Sequence, residues 1–293
     1  MQAIEYKAPQ TVSEAISLLA EKGEGARVLA GGTDILVQLR VGRRKAGRLV
    51  DIKGIREVNE LSFQPNSGLR LGAAVPCYRI YQDPVVAKHY PGLIDAVSMI
   101  GGIQIQGRAS VGGNLCNAAP SADAIPPLIV LEAKCTIAGP NGQREVSVEK
   151  FCTGPGKTIL KDGEFLVSIL IPPPKPGSGA HYLRFIPRNE MDIAVAGAGA
   201  SVVLDSKGKS FASARVALSA VAPIPLLVEE AGKILAGGEV SDAAIDKAAK
   251  AARAAARPIN DMRGTIEQRL HLVEVLTGRA LKEAIRRARE ANK

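Results

Sequence analysis

The segment from Pro172 to Gly179, with the sequence PPPKPGSG, constrains the fold of this chain more than any other stretch. Proline lacks a backbone N–H and fixes its own φ, so such a run continues neither a helix nor an interior strand. A chain of 293 residues is long enough for about two domains. We therefore predict the main boundary here, with one domain over residues 1–176 and another over residues 177–293.

The first domain shows two patterns along its length. Residues 1–57 predict a small α/β subdomain, because the helix TVSEAISLLAEKG has a capping box at Thr11 and Glu14, and buried strands ARVLA and GRLVDIK follow it. Residues 58–176 predict a β-rich subdomain. There LRLGAAV, LIVLEAKCTIAG, REVSVEK and EFLVSILIP carry the alternation and β-branched residues typical of antiparallel strands.

The second domain is predicted to combine a small sheet with helices. DIAVAGAGASVVLD and SARVALSAVA predict two strands, and two or three helices close the chain, the last interrupted at Gly278. The GAGAS segment, Gly197 to Ser201, is similar to a dinucleotide fingerprint, but Val202 stands where the third glycine should be. We interpret this segment as a strand in which glycines replace larger side chains.

The net charge of +9 raises the question of a nucleic-acid partner. Aromatic residues make up only 3% of the chain and tryptophan is absent, which argues against binding by base stacking. Residues Ser241 to Lys293 hold 12 Lys/Arg and 7 Asp/Glu, a net charge of +5. Two interpretations of this surplus remain open: a solvated helix face, or a docking surface for an acidic partner subunit.

The four cysteines form no C-x-x-C pair, so their spacing predicts neither a zinc site nor an iron–sulfur site. The first residues, MQAIEYKAPQ, lack the apolar core of a secretion signal, and no apolar run approaches the roughly 20 residues of a membrane span. We expect a cytoplasmic protein with free thiols.

A glycine turn follows the strand ARVLA, in the sequence AGGTD. Gly31 and Gly32 permit positive φ and close backbone approach. Thr33 is predicted to cap the next helix, whose free N–H groups and dipole would then bind a phosphate oxygen. An ordinary turn before a capped helix fits the same residues, and the motif alone does not separate the two interpretations.

A second glycine pair occurs in SVGGN, where Gly112 and Gly113 expose consecutive N–H groups, and Ser110 and Asn114 add side-chain donors. A tight turn explains the glycines but not the small polar run NLCNAAPSAD, because a loop of this kind usually lies against something other than its own core. Asp123 ends the run and suits either of two roles: an acceptor for sugar hydroxyls, or the N-cap of AIPPLIVLEA.

Two separate glycine loops suit the two sides of a diphosphate. Each charge-assisted hydrogen bond contributes about 1.5–3 kcal/mol, so about four of them together with burial of a flat ring would retain a large anionic cofactor. The sequence therefore predicts that both loops contact one such cofactor.

At these residues the chain closely resembles a known family. AGGTD, followed by SVGGNLCNAAPSAD and then HYLRFIPRNEMDIAVAGA, is similar to the FAD-binding medium subunit of molybdenum hydroxylases, the family of carbon monoxide dehydrogenase and xanthine dehydrogenase flavoproteins. The resemblance covers essentially the whole chain. It implies an α+β fold: a vanillyl-alcohol-oxidase (PCMH)-type FAD-binding domain of two subdomains, plus a C-terminal α/β domain with a small antiparallel sheet and helices. FAD would lie extended between the two subdomains.

The resemblance also implies which residues contact FAD. By motif position they are Ala30, Gly31, Gly32, Thr33, Asp34, Ile100, Ser110, Val111, Gly112, Gly113, Asn114, Asp123, Leu166 and Arg184.

The chain departs from the family pattern at several positions. Arg184 stands where relatives commonly have lysine, Gln106 stands in a run where they often have arginine and asparagine, and Gln268 with Arg269 replaces a common tyrosine–arginine pair. The cysteine-rich loop that carries an extra cluster in some relatives is lacking, so FAD is the one cofactor expected here.

The resemblance implies an electron-transfer subunit of a heterotrimer. Its partners would be a large molybdopterin-binding subunit and a small 2Fe–2S subunit, with NAD or another compound as electron acceptor. The lone histidines His89, His181 and His271 are interpreted as structural or surface residues, and no catalytic acid–base pair is assigned. Two alternatives remain open: a self-sufficient flavin oxidoreductase acting on a small organic substrate, and a flavin-free scaffold whose glycine loops are only turns.

Overall fold

The first sheet has three parallel strands, in the order β1–β3–β2. The structure is a computed structural model and describes residues 3–189 and 191–291. The elements of this region are β1 (Glu5–Lys7), α1 (Val12–Lys22), β2 (Ala26–Leu29), α2 (Ile35–Arg40) and β3 (Arg48–Asp51). A crossover through helix α1 joins the parallel strands β1 and β2, as parallel strands require.

The ends of α1 are those that the sequence predicted. Thr11 Oγ1 accepts a hydrogen bond from the Glu14 N–H at 3.2 Å, and Gly23 follows the helix with φ of 51°. The start of α2 differs from the prediction. Asp34, not Thr33, occupies the N-cap position, and no side chain caps this helix. Asp34 Oδ2 instead accepts a hydrogen bond from Gln38 Nε2 at 2.5 Å, which removes it from the capping role.

The second sheet is antiparallel and has five strands, in the order β4–β5–β10–β6–β7. Its strands and the helices between them are β4 (Leu61–Gln64), β5 (Gly68–Gly72), α3 (Cys77–Tyr81), α4 (Pro84–His89), α5 (Pro91–Val97), α6 (Val111–Asn117), α7 (Ile125–Val130), β6 (Lys134–Gly139), β7 (Gly142–Ser147) and β10 (Phe165–Ile171). A separate hairpin, β8 (Cys152–Gly154) and β9 (Lys157–Thr158), precedes β10.

One predicted strand of this region was partly wrong. LIVLEAKCTIAG was expected to be a single strand, but Leu128–Val130 belong to helix α7, and the strand begins at Lys134. All six residues of α7 are buried: the helix shares one hydrophobic core with residues of the second sheet, and it contacts the strands that follow residue 177. A helix that is apolar on every side has no amphipathic period, so its sequence is easily taken for a buried strand.

The third sheet is antiparallel, in the order β11–β12–β13–β14, and three helices cover it. Its elements are β11 (Ser178–Phe185), β12 (Ala196–Leu204), β13 (Phe211–Ser219), β14 (Leu226–Leu227), α8 (Glu229–Leu235), α9 (Asp242–Ala255) and α10 (Ile266–Ala291). GAGAS lies within β12, as predicted. The fold class expected from the resemblance is confirmed.

Helix α10 is continuous, which corrects the predicted interruption at Gly278. A Cβ at Gly278 would lie 3.9 Å from Cγ2 of Ile245, so α9 packs directly over this position. Glycine costs about 1 kcal/mol in a helix interior, and the packing of a 26-residue amphipathic helix outweighs that cost.

Several basic residues near the C-terminus form ion pairs. Arg253 lies 3.0 Å from Glu274, Lys282 lies 2.8 Å from Asp242, and Arg286 contacts both Glu283 and Glu290. These pairs leave the net charge of +5 in this segment unchanged, so the solvated helix face and the docking surface both stay predictions. No helix in residues 3–189 and 191–291 is long and apolar enough to cross a membrane.

The three histidines lie in structural or surface positions, as the sequence analysis proposed. The ring of His89 stacks on Phe63 with centroids 4.5 Å apart, His181 Nδ1 lies 2.5 Å from Asp95 Oδ2, and His271 is exposed. None of the three lines the large cavity described next.

Candidate functional site

A large cavity lies among residues of all three sheets. Its volume is about 1130 Å³, above the roughly 300–1,000 Å³ typical of sites for drug-sized ligands, so it accepts a ligand of dinucleotide size. Thirteen of the fourteen predicted contact residues line it: Ala30, Gly31, Gly32, Thr33, Asp34, Ile100, Ser110, Gly112, Gly113, Asn114, Asp123, Leu166 and Arg184. Val111 does not line it, because its side chain is fully buried in the core of the second sheet and its helices.

The first glycine loop presents unused backbone donors to this cavity. From Gly31 to Ile35, no backbone N–H donates to an acceptor within the residues that the structure describes. These residues line the cavity wall at the start of α2. Successive free N–H groups at the start of a helix bind anionic oxygens, because they combine direct donors with the positive end of the helix dipole.

The glycines of this loop are required by its backbone. Gly32 has φ of 80°, a left-handed conformation that favours glycine. A Cβ at Gly31 would lie 2.0 Å from the carbonyl oxygen of Arg108, two residues before Ser110. The two glycine loops therefore touch each other and form one continuous wall, which the sequence alone could only suggest.

The second glycine loop differs in detail from the expectation. Ser110 caps α6 by accepting the Gly113 N–H on its hydroxyl oxygen at 3.0 Å, so Ser110 acts there as an acceptor and that N–H is not free. Asn114 Oδ1 accepts the Ala124 N–H at 3.2 Å, which ties the second loop to the start of α7. The N–H of Gly112, in the same first turn, donates to no acceptor in the described part of the chain.

The two glycines of α6 have different reasons to be glycine. A Cβ at Gly112 would lie 2.4 Å from the carbonyl oxygen of Ala73, so packing against the second sheet requires glycine there. A Cβ at Gly113 would meet only the Ser110 hydroxyl, at 3.1 Å. Packing within the protein therefore does not explain Gly113, which leaves room for a ligand to approach its backbone.

Asp123 is the centre of a buried polar cluster at the cavity wall. Its Oδ2 lies 2.6 Å from Arg184 Nη1, and its Oδ1 accepts the Tyr182 hydroxyl at 2.8 Å. Asp123 does not cap α7, since Ala124 occupies the N-cap position without a side-chain bond. Burial raises the pKa of Asp123 to about 6, and the Arg184 cation and the Tyr182 hydroxyl offset only part of that rise.

Arg184 carries an unused donor beside the cavity. Only 6% of its side chain is exposed, and its Nε has no hydrogen-bond partner among the described residues. An unpaired buried donor costs about 1–3 kcal/mol. A polar or anionic ligand in the cavity would remove that cost.

Four further cations face the cavity without an ion pair among the side chains that the structure describes. They are Arg27, Arg44, Lys157 and Lys161. Five acids line the cavity: Asp123, Glu164 and Asp192 are each paired with an arginine, whereas Asp34 and Asp162 have no ion pair among the described side chains, so four unpaired cations face two unpaired acids. The charges left over are therefore mainly positive, which favours an anionic ligand.

Apolar side chains complete the lining. Ile100 is 6% exposed and Leu166 is 2% exposed, so both present apolar surface from otherwise buried positions. Gln106 supports the loop that carries Ile100, because its Nε2 donates to the Ser98 carbonyl at 2.7 Å. The glutamine that departs from the family pattern thus has a structural role here.

Sequence reasoning missed several lining residues. Arg27, Gln38, Arg44, Lys157 and Lys161 occur in no motif, and three-dimensional proximity alone brings them to the cavity. Gln38 had one available signal, since it follows Asp34 by four residues and the two side chains bond on α2. No local pattern indicated the role of Tyr182 behind the cavity wall, because its hydroxyl binds Asp123, which is 59 positions away in the sequence.

The residues present fit FAD. The cavity is large enough for FAD, and the free N–H groups of the first loop suit its diphosphate. Packing within the protein leaves space beside Gly113, and the buried Nε of Arg184 is a donor without a partner among the described residues. These features all line one cavity.

Comparison with known proteins matches nearly the whole length of this chain. Residues 2–174 match the family described as the FAD binding domain in molybdopterin dehydrogenase, and residues 181–284 match the CO dehydrogenase flavoprotein C-terminal domain. The xanthine dehydrogenase FAD-binding subunit of Escherichia coli O157:H7 is 33% identical over 281 residues, covering 96% of this chain and 95% of that protein. The carbon monoxide dehydrogenase medium chain of Hydrogenophaga pseudoflava is 31% identical over 280 residues, covering 96% of each.

A solved structure shows the same fold. A chain of the reconstituted CO dehydrogenase from Oligotropha carboxidovorans superposes with a TM-score of 0.92 at 30% identity, covering 97% of this chain and 98% of that one. The flavin-free scaffold considered from the sequence is thereby set aside. This chain belongs to the FAD-binding medium subunits of the molybdenum hydroxylase family, and its cofactor is FAD.

Proposed function

We propose that this chain is the electron-transfer subunit of a cytoplasmic heterotrimer. Electrons from a large molybdopterin-binding subunit would pass through a small 2Fe–2S subunit to the FAD held here, and then to NAD or another acceptor. The names of the relatives, as subunits and medium chains of dehydrogenases, support an assembly of several chains. Four free cysteines suit a reducing compartment.

The observation that carries the proposal is the cavity wall formed by the two glycine loops. Gly31 contacts the backbone of Arg108, the N–H groups from Gly31 to Ile35 are unused, and Gly113 leaves its backbone open. We propose that these loops hold the diphosphate of FAD and that the fourteen residues predicted from the resemblance form its contacts, with Val111 acting through its backbone.

The protein's contribution is binding, orientation and charge. The bound flavin supplies the redox chemistry, since it exchanges electrons singly or in pairs. Unpaired cations beside the cavity favour the negative charge of the diphosphate, and Asp123 with Arg184 forms a polar end of the wall. Among the described residues, no three His, Cys, Asp or Glu side chains are grouped so that they could hold a metal ion.

We also propose the division into domains over residues 1–176 and 177–293. The change from the second to the third sheet between Ile171 and Ser178 supports it, as do the two family matches, which end at residue 174 and begin at residue 181, on either side of the proposed boundary.

The test uses the chain purified from its native source. We expect two further chains to co-purify, and we expect a chemically reduced 2Fe–2S partner to bleach the flavin absorbance of this subunit under anaerobic conditions. The Gly113→Val chain, mixed with the same reduced partner, is the control that should show no flavin signal. Turnover of a small organic substrate by this chain alone would instead support a self-sufficient flavin oxidoreductase.

A further inference from the structure

Two side chains of the third sheet lie directly behind the Asp123–Arg184 pair. Tyr182 is 0% exposed and Ser219 is 1% exposed. Tyr182 lies on β11 and Ser219 on β13, the two strands that flank β12. The Tyr182 hydroxyl donates to Asp123 Oδ1 at 2.8 Å and lies 3.5 Å from Ser219 Oγ. This hydroxyl therefore connects the third sheet to the cavity wall.

Gly197 makes room for this hydroxyl. A Cβ at Gly197 would lie 2.4 Å from Ser219 Oγ and 2.7 Å from the Tyr182 hydroxyl oxygen. Every side chain other than glycine at this position would displace one of the two. The packing of Gly197 against Tyr182 and Ser219 therefore explains this glycine of GAGAS without a bound nucleotide.

The polar connection continues from Tyr182 into the cavity. Asp123 uses one carboxylate oxygen for Tyr182 and the other for Arg184, so the tyrosine limits the rotation of the carboxylate that holds the guanidinium. Arg184 lines the cavity, and its buried Nε has no partner among the described residues. Groups that orient a binding residue from behind in this way commonly affect affinity without touching the ligand.

We propose that Tyr182 is a positioning residue for the cofactor: its hydroxyl fixes Asp123 and thereby aims the Arg184 guanidinium at the ligand in the cavity. The proposal rests on the placement of FAD in this cavity. Burial holds the pKa of Tyr182 well above its usual value, so the hydroxyl keeps its proton and remains a donor to the carboxylate.

The direct test compares Tyr182→Phe with Tyr90→Phe in the full chain. Tyr90 is a matched control, because it is also a buried tyrosine, and its hydroxyl donates to the Pro172 carbonyl at 3.0 Å, yet it does not line the cavity. Each apoprotein is titrated with FAD, and the dissociation constant, the thermal midpoint and the circular dichroism of the bound flavin are measured.

We expect Tyr182→Phe to weaken FAD binding about tenfold and to change the flavin circular dichroism, because a hydrogen bond to a charged group is lost from the wall. Tyr90→Phe should lower the thermal midpoint with FAD affinity and flavin dichroism unchanged. Equal FAD affinities in the two variants would overturn the proposal. Ser219→Ala removes a neighbour of the same hydroxyl without adding bulk, so it should weaken FAD binding in the same direction if Tyr182→Phe does not fold.

A double-mutant cycle separates this proposal from the placement of FAD. If Tyr182 acts through Arg184, then Tyr182→Phe should have little further effect on FAD affinity in an Arg184→Met chain. Full additivity of the two changes would contradict the positioning role. An Arg184→Met chain with unchanged FAD affinity would show that FAD does not use this side chain. That result would overturn the positioning role of Tyr182 without contradicting the placement of FAD in the cavity.

Discussion

The Cα of Gly31 lies so close to the carbonyl oxygen of Arg108 that a Cβ there would come within 2.0 Å of it. The two residues are 77 positions apart, and Arg108 Nε also donates to the Gly31 carbonyl at 3.4 Å. This contact joins the two glycine loops into one wall. The geometry of the proposed diphosphate site therefore depends on the absence of a side chain at one position.

Gly31→Ala tests that dependence. The added methyl group meets backbone rather than a flexible side chain, so the loops must separate, and we expect a loss of about 1–3 kcal/mol in the free energy of unfolding together with loss of bound FAD. Denaturant unfolding and the flavin content of the purified chain measure the two effects. Gly107→Ala is the matched control, since a Cβ there meets nothing within 4 Å, and it should change neither.

Gly113→Val separates ligand binding from folding. A Cβ at Gly113 meets only the Ser110 hydroxyl within 4 Å, so we expect a folded chain that no longer retains FAD. Gly112→Ala should behave in the opposite way, lowering stability first, because its methyl group would overlap the Ala73 backbone. Flavin absorbance and thermal unfolding of both variants give the comparison. A yellow Gly113→Val chain with full FAD content would disprove the placement of the second loop.

Asp95→Asn tests a junction between α5, β11 and α10. Asp95 Oδ2 lies 2.5 Å from His181 Nδ1 and 2.7 Å from Arg287 Nη1. Burial acts to raise the pKa of Asp95, but the bonds from His181 and Arg287 more than offset it and leave the pKa below its ordinary value. We expect the variant to lose about 2 kcal/mol in the free energy of unfolding near neutral pH.

The pH dependence of that loss has a definite sign. A carboxyl whose pKa is lower in the folded than in the unfolded chain stabilises the fold above its ordinary pKa of about 4, and the contribution disappears as the pH falls through the lower value. Urea unfolding of both chains between neutral and acidic pH should therefore show the difference between them shrinking below about pH 4. A difference that stays constant would mean that Asp95 acts only through packing.

The four cysteines should react slowly with thiol reagents in the native chain. Burial raises the pKa of Cys77 and Cys116 to about 12 and that of Cys152 to about 11, and it raises the pKa of Cys135 as well. Since the thiolate is the reactive form, labelling near pH 8 should require unfolding. Mass spectrometry of native and denatured samples counts the labelled thiols. Rapid native labelling of Cys116 alone would indicate that the cavity wall opens around α6.

Local patterns predicted much of the fold. The Thr11 cap of α1, the strand that contains GAGAS and the positions of both glycine loops depend on neighbouring residues, which the sequence displays directly. The second half of the predicted capping box is wrong, because the Glu14 carboxylate accepts the N–H of Gln10 and not that of Thr11. Helix α7 was misinterpreted because burial on all sides removes the period that marks a helix. The prediction wrongly placed a break in helix α10 at Gly278, because the packing of α9 over this residue is not visible in the local sequence.

The site was predicted less completely than the fold. The resemblance led to thirteen residues that line one cavity, but it could not show that Ser110 uses up the Gly113 N–H or that Tyr182 binds Asp123. These details depend on contacts between distant segments, which have no signature within one stretch of sequence. The same holds for cations that line the cavity but belong to no sequence motif, such as Lys157 and Lys161.

A crystal structure of the FAD-loaded chain tests the central claim most directly. The account predicts that the diphosphate oxygens accept hydrogen bonds from backbone N–H groups between Gly31 and Ile35 and lie against Gly113, with the Arg184 guanidinium in the same cavity. A flavin bound elsewhere, with both glycine loops in contact only with solvent, would contradict it.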